Sequence, residues 1–258
     1  MKKKIIYMLL GICTTCITSC DKIDENERLV STVYKAQRSI LIEDYTGQKC
    51  VNCPMATNTL HSLSEYFGDS IVSVAIHGGP FGVAEPRGLA TKEAEVYYTA
   101  LNIKSQPIGV INHRGITTNY ANWTSEVMSL IKTPTNVTMS VSSKIEGNEL
   151  QASINSSATT NITALLKVWL TEDNIVAQQS LPEAWGGGTD KNYVHSHVYR
   201  KTVSNIDGVV VELSPVTTTN DFTCPLASTY KKENLCIVAF VYTEADGVLQ
   251  VIHRKVEY

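Results

Sequence analysis

The sequence predicts two folds in series: an α/β domain over residues 37–133, then an all-β antiparallel sandwich over residues 134–258. Three observations carry this expectation. Strand and helix patterns alternate as far as Ile131. From Thr133-Pro134-Thr135 onward, short alternating runs separated by Gly, Asn or Asp replace them. A Cys50-Val51-Asn52-Cys53 pair lies between the first strand and the first helix. A chain of 258 residues is long enough for two domains of ordinary size.

The elements follow in order. Ser39 to Tyr45 reads as a short buried strand, and Met55 to Phe67 carries Met55, Leu60, Leu63, Tyr66 and Phe67 at helical spacing. Ile71 to Ile76 is a second strand, closing a β-α-β unit, and Gly78-Gly79-Pro80-Phe81-Gly82 is a loop. Leu89 to Leu101 reads as a helix, Ile108 to Ile111 as a strand, and Trp123 to Ile131 as a last amphipathic helix. Strands are then expected at 137–141, 150–154, 164–170, 194–203, 209–213, 235–242 and 248–256. That spacing suggests an immunoglobulin-like sandwich. Gly186-Gly187-Gly188 falls in a long loop.

The N-terminal end is read apart from the fold. Lys2-Lys3-Lys4 and the apolar run Ile5 to Ile12, too short to span a bilayer, form a signal peptide over residues 1–19. Ile17-Thr18-Ser19-Cys20 resembles the bacterial lipobox, which makes Cys20 the acylated first residue of the mature chain. Residues 20–36 then form a polar tether. Cys13 and Cys16 leave with the signal, so their Cys-x-x-Cys spacing is a decoy. Either this route or a plain secretory cut takes the chain out of the cytoplasm; the lipobox route places it in the cell envelope, lipid-anchored at the outer membrane. The acids Asp21, Asp24, Glu25 and Glu27 form either a solvated tether or a sorting patch for surface display. Loss of Lys2 to Lys4 makes the formal charge of −3 more negative, and no basic stretch points to a nucleic-acid partner.

Four cysteines remain for thiol chemistry, and an even count in an oxidising compartment suggests two disulfides: Cys50–Cys53, and Cys224–Cys236 near the C-terminus. The second would close a loop between β-strands and contribute roughly 3 kcal/mol. A dithiol between strand and helix is where exchange enzymes keep their reactive pair. Exchange needs a thiolate, and a helix N-terminus with Lys49 alongside would lower the Cys50 pKa. Cys50 is therefore read as the more exposed attacking thiol and Cys53 as the buried resolving one. Pro54 at the helix start costs no hydrogen bond.

The segment Leu41-Ile42-Glu43-Asp44-Tyr45-Thr46-Gly47-Gln48-Lys49-Cys50 resembles thioredoxin, in which a buried Asp stands six residues before the first cysteine. Ser105-Gln106-Pro107-Ile108 resembles that family's cis-proline turn. The resemblance implies that Asp44 handles the proton of the resolving thiol. It further implies that Pro107 is cis beside the dithiol, and that Gln106 and Pro107 position a substrate backbone. Lys49 replaces the family's Trp, and Val51-Asn52 its Gly-Pro. The stretch from Cys53 to Pro107 is also longer, with an extra helix and the Gly78–Gly82 loop. The whole mature chain resembles a family of Bacteroidetes lipoproteins related to a 28-kilodalton outer-membrane protein. The matching stretches are Thr46-Gly47-Gln48-Lys49-Cys50-Val51-Asn52-Cys53-Pro54, Asn112-His113-Arg114 and Tyr193 to Arg200. That family pairs a thioredoxin-like domain with a β-sandwich.

The function expected is thiol–disulfide oxidoreduction on exported cysteine-containing proteins, with a membrane redox partner and no cofactor. The alternative is a non-enzymatic surface lipoprotein for binding or adhesion, with Cys50–Cys53 as a staple. No metal site is expected. His195-x-His197 has ligand residue types on one strand face but lacks further ligands, and His77 near the dithiol lacks the longer cysteine spacing of copper-delivery relatives. Asp69-Ser70-Ile71 matches a short O-glycosylation motif, and Trp185 before Gly186-Gly187-Gly188 is either a partner-binding loop or a flexible connection.

Overall fold

A computed structural model describes residues 38–115 and 117–258. The leader, the tether and Cys20 lie outside the described residues. No helix among those described is long and apolar enough to cross a membrane.

β1 (Ile40–Thr46) is buried along its whole length, and β2 (Ile71–His77) pairs with it in parallel from Ile40↔Ile71 to Thr46↔His77. Parallel strands need both faces covered. Ile40 and Ile42 point to one face, where α1 (Cys53–Phe67) and α3 (Trp123–Leu130) supply Leu60, Leu63, Trp123 and Val127. Leu41 and Tyr45 point to the other, against α2 (Lys92–Ala100) with Ala94, Tyr97 and Tyr98. Pro54 opens the first turn of α1, and Gly68 ends the helix at φ 57°. The expected helix from Leu89 starts later, because Thr91 caps it: its hydroxyl accepts from the Ala94 N–H at 3.0 Å. Leu89 instead donates its N–H to the Gln48 side chain at 2.9 Å.

β3 (Ile108–Ile111) runs antiparallel to β1, followed by the short β4 (Thr117–Thr118). The second half is strand throughout: β5 (Val137–Glu146), β6 (Glu149–Ala158), β7 (Ile162–Glu172), β8 (Ile175–Ser180), β9 (Thr189–His195), β10 (Val198–Thr202), β11 (Val209–Leu213), β12 (Thr218–Pro225), β13 (Leu235–Thr243) and β14 (Gly247–Lys255). β8, the strand over Ile175–Ser180, and β12 were not anticipated from the sequence. The protein is thus mostly β-sheet with a few helices, and its antiparallel pairings dominate.

The two halves share a sheet. Nine strands join in the order β14-β13-β7-β10-β2-β1-β3-β4, with β11 also on β7; β10 meets β2 in parallel at Val198↔Ala75. A three-stranded antiparallel sheet, β12-β6-β5, shares a core with it, built from Leu150, Ile154, Leu166, Val168, Ile237 and Val241. Trp169, one residue out of phase on β7, joins Tyr199 and Phe240 in the central cluster instead.

The expected strand 194–203 is broken. His197 takes φ 56°, a left-handed conformation that a ladder cannot absorb, so β9 ends at His195 and β10 starts at Val198. β9 folds back on β8 as a separate two-stranded hairpin, with Gly186, Gly187 and Gly188 in its turn region at positive φ. The glycine run thus joins two paired strands.

Candidate active site

Cys53 is the first residue of α1, and Cys50 stands in the turn just ahead of it. The two are joined in a disulfide with their Cα atoms 5.4 Å apart. Neither sulfur-bearing residue is open to solvent: Cys50 is 3% exposed and Cys53 2%. Cys50, expected to be open to a substrate, is thus buried almost as fully as Cys53, and its loop carries a cover from the second half. Gln179 on β8 donates from Nε2 to the Cys50 carbonyl at 2.9 Å and lies 3.3 Å from that of Gly47. Gln48 donates to the Gln178 carbonyl at 3.0 Å, and the Ser180 N–H donates to the Gln48 carbonyl at 2.8 Å. The β8–β9 hairpin therefore sits on the dithiol loop as a hydrogen-bonded cap.

The other side of the loop is fixed by the glycine-rich turn. The Lys49 N–H donates to the Phe81 carbonyl at 2.9 Å. A Cβ on Gly47 would meet the Phe81 carbonyl carbon and oxygen at 2.5 Å, so this close approach requires glycine. The Gln106–Pro107 peptide is cis and Pro107 is buried. The Gln106 side chain accepts from the Phe81 N–H at 3.1 Å and donates to the carbonyls of Gly78, at 3.0 Å, and Thr46. Gln106 thus ties the turn to the end of β1, a structural role beyond the substrate contact expected for it.

Asp44 shares the face of β1 with Ile40 and Ile42, which aims it toward α1. It is 1% exposed, its Oδ1 has no hydrogen-bond partner, and burial pushes its carboxyl up to about 8. Asp44 and Cys53 line one cleft of about 100 Å³, with His77 from β2 and Gln179, Tyr193 and His195 from the hairpin. His77 and His195 meet edge to face at 5.1 Å between ring centroids. Burial holds His195 at about 4 and His77 well below its ordinary value, so both rings are neutral at pH 7. His77 Nδ1 and His195 Nε2 also lack partners. The cleft therefore gathers a protonated carboxyl, two neutral imidazoles and the inner sulfur of the disulfide.

Gln179 and His195 were missed as site residues. His195-x-His197 was read as one strand face, but the break at His197 parts them: His195 turns to His77, while His197 pairs with Asp173. Cys224 and Cys236, expected as a disulfide, are both buried free thiols. Cys224 lies on β12 opposite Leu150, in the core between the sheets, whereas Cys236 lies on β13 with its Sγ 3.6 Å from Asp173 Oδ2. Burial raises both thiols, and with Asp173 beside it Cys236 reaches about 12, so neither ionises readily.

Fold and site together define a sheet-dominated α and β protein with a capped strand-to-helix disulfide. The profile of the family described as outer membrane protein Omp28 matches residues 94–258, nearly two thirds of the sequence. The chain belongs to the Omp28 family, and its place is accordingly the outer membrane of the cell envelope. Among solved structures, HBP35 of Porphyromonas gingivalis superposes with a TM-score of 0.64 at 11% identity, over 85% of this chain and 75% of that one. That likeness extends to the fold. A structural-genomics protein of Agrobacterium tumefaciens, at 17% identity over 83% of this chain and 92% of its own, reaches a TM-score of 0.49, too low to carry an argument. No curated protein matches the sequence.

Proposed function

We propose that this outer-membrane protein is a lipid-anchored thiol–disulfide oxidoreductase, its first half thioredoxin-like and its second an immunoglobulin-like sandwich. The observation that carries the reading is that Asp44, buried and protonated at neutral pH, lines the same cleft as Cys53. A carboxyl titrating near 8 exchanges protons with a thiol of ordinary pKa at little free-energy cost.

In the reduced enzyme, the Cys50 thiolate attacks one sulfur of a substrate disulfide, and the other substrate sulfur leaves as thiolate. Asp44 first releases its own proton to solvent, a small cost for a group titrating near 8, and then takes the Cys53 proton; the Cys53 thiolate attacks Cys50 and releases the second substrate sulfur. The products are a substrate dithiol and the Cys50–Cys53 disulfide, which a membrane redox partner re-reduces. The Gln106–Pro107 peptide aligns the substrate backbone in this scheme, and exported cysteine-containing proteins are its substrates. Because Gln179 and β8 cover the pair, the hairpin must lift before a substrate sulfur reaches Cys50.

The same cover supports a second reading, a non-enzymatic binding or adhesion protein in which the disulfide is a staple. Trapping in cells decides between them. Under the enzyme reading, Cys53→Ser accumulates mixed disulfides through Cys50, and Cys50→Ser accumulates few. No trapped partner from either variant, in cells with normal thiol oxidation, leaves the scaffold reading standing.

A further inference from the structure

Away from the dithiol cleft, three neighbouring strands bring unlike donors together. Asp173 directly follows β7, Cys236 is the second residue of β13, and His253 lies on β14; the sheet order is β14-β13-β7. Cys236 pairs with Lys255 and Val238 with His253, so Cys236 and His253 are diagonal neighbours on one face. A carboxylate oxygen of Asp173, the Cys236 sulfur and an imidazole nitrogen of His253 all lie within 4.8 Å of one another.

The neighbourhood holds this group in place. The His197 backbone N–H donates to Asp173 Oδ1 at 2.6 Å, and His197 Nδ1 stands 3.1 Å from the same oxygen. The His197 ring meets that of His253 edge to face at 5.8 Å. Two non-glycine residues with left-handed backbones flank the group, Asn174 at φ 56° and His197 at φ 56°. Such conformations are uncommon and concentrate at functional sites. A hydrogen-bonded Asp173–Cys236 pair would account for those two residues alone. It leaves His253 Nε2 buried without any hydrogen-bond partner, and an orphaned buried nitrogen calls for an occupant.

We propose that Asp173, Cys236 and His253 bind a zinc-class divalent cation, with His197 positioning Asp173. Thiolate, imidazole and carboxylate together suit zinc, whose ligands sit at about 2.0–2.3 Å. Tetrahedral geometry then spaces ligand atoms roughly 3.5 Å apart, so side-chain adjustments of about an ångström close the present group around an ion. Three protein ligands leave a fourth position open, and His197 and His253 line a surface pocket of about 250 Å³ that gives solvent access. Binding replaces the Cys236 S–H proton by the metal and releases that proton to solvent, with no change of oxidation state. Asp173 and His197 also flank the base of the β8–β9 hairpin, so the ion ties the cap of the dithiol to β13 and β14.

The test uses purified full-length protein, stripped with chelator, with Cys50–Cys53 oxidised. Cobalt(II) alone is titrated and followed by its thiolate charge-transfer absorption, then displaced by zinc(II). One equivalent with that absorption is expected, unchanged in Cys224→Ser and lost in Cys236→Ser. His197→Ala should weaken zinc binding about 10- to 100-fold, as outer-shell partners do. The same absorption in Cys236→Ser, or no saturable binding by the unmodified protein, overturns the proposal. Should Cys236→Ser fail to fold, His253→Gln decides: unchanged zinc affinity there overturns it, and a loss of tenfold or more supports it.

Discussion

Replacing Asp44 by Asn should change how stability depends on pH. Asp44 is 1% exposed, Oδ1 has no partner, and the carboxyl sits at about 8 instead of 3.8. Because the folded pKa is raised, the folded state holds a proton that the unfolded chain gives up. The contribution is fully favourable below pH 3.8 and declines as pH rises toward 8. Each pH unit in that window costs about 1.4 kcal/mol, which amounts to about 4 kcal/mol lost by pH 7. Asn keeps the shape and cannot ionise. Urea unfolding of both proteins, oxidised, at pH 4 to 8 should therefore give a difference in stability that grows by about 4 kcal/mol in favour of the Asn variant by pH 7. A difference that stays constant over this range would mean that Asp44 is ionised in the fold. It would then titrate as an ordinary carboxylate, too weak a base to take the Cys53 proton, and its assigned role at Cys53 would fall.

Gln179→Ala removes the donor that holds the hairpin to the Cys50 carbonyl. Loss of a hydrogen bond of about 1 kcal/mol should speed reduction of Cys50–Cys53 by a small thiol about fivefold, and an unchanged rate would mean the hairpin does not gate the pair. Cys20→Ser should abolish fatty-acid labelling and release the protein from membranes; labelling that persists would remove the lipid anchor from the account.

What the sequence revealed was local. β1, α1 and β2 follow from continuous apolar runs and a helical repeat, and they place Asp44, Cys50 and Cys53, while Pro107 stands directly before β3. The cap was hidden because β8 is short and ends in Gln178-Gln179-Ser180, with buried Gln179 doing its work through a carbonyl far away in sequence. Its only local trace is a pair of alternating runs around Gly186-Gly187-Gly188, bounded by Asp173-Asn174 on one side and Ser196-His197 on the other. β12 escaped notice too, being largely Thr, Asn and Asp on an exposed sheet face. Cysteine counting failed at Cys224 and Cys236 because parity says nothing about location: one thiol faces the inter-sheet core and the other Asp173. The Asp173, Cys236 and His253 group arises from sheet order, which pattern reading along one chain does not supply.

The central claim is that the capped Cys50–Cys53 pair is a working redox couple. Its reduction potential, measured by equilibrating the protein in buffers of defined thiol–disulfide ratio, tests that claim most directly. A working couple predicts a value between about −270 and −120 mV, the range of exchange enzymes, whereas a value below about −300 mV is that of a structural staple and would contradict the account.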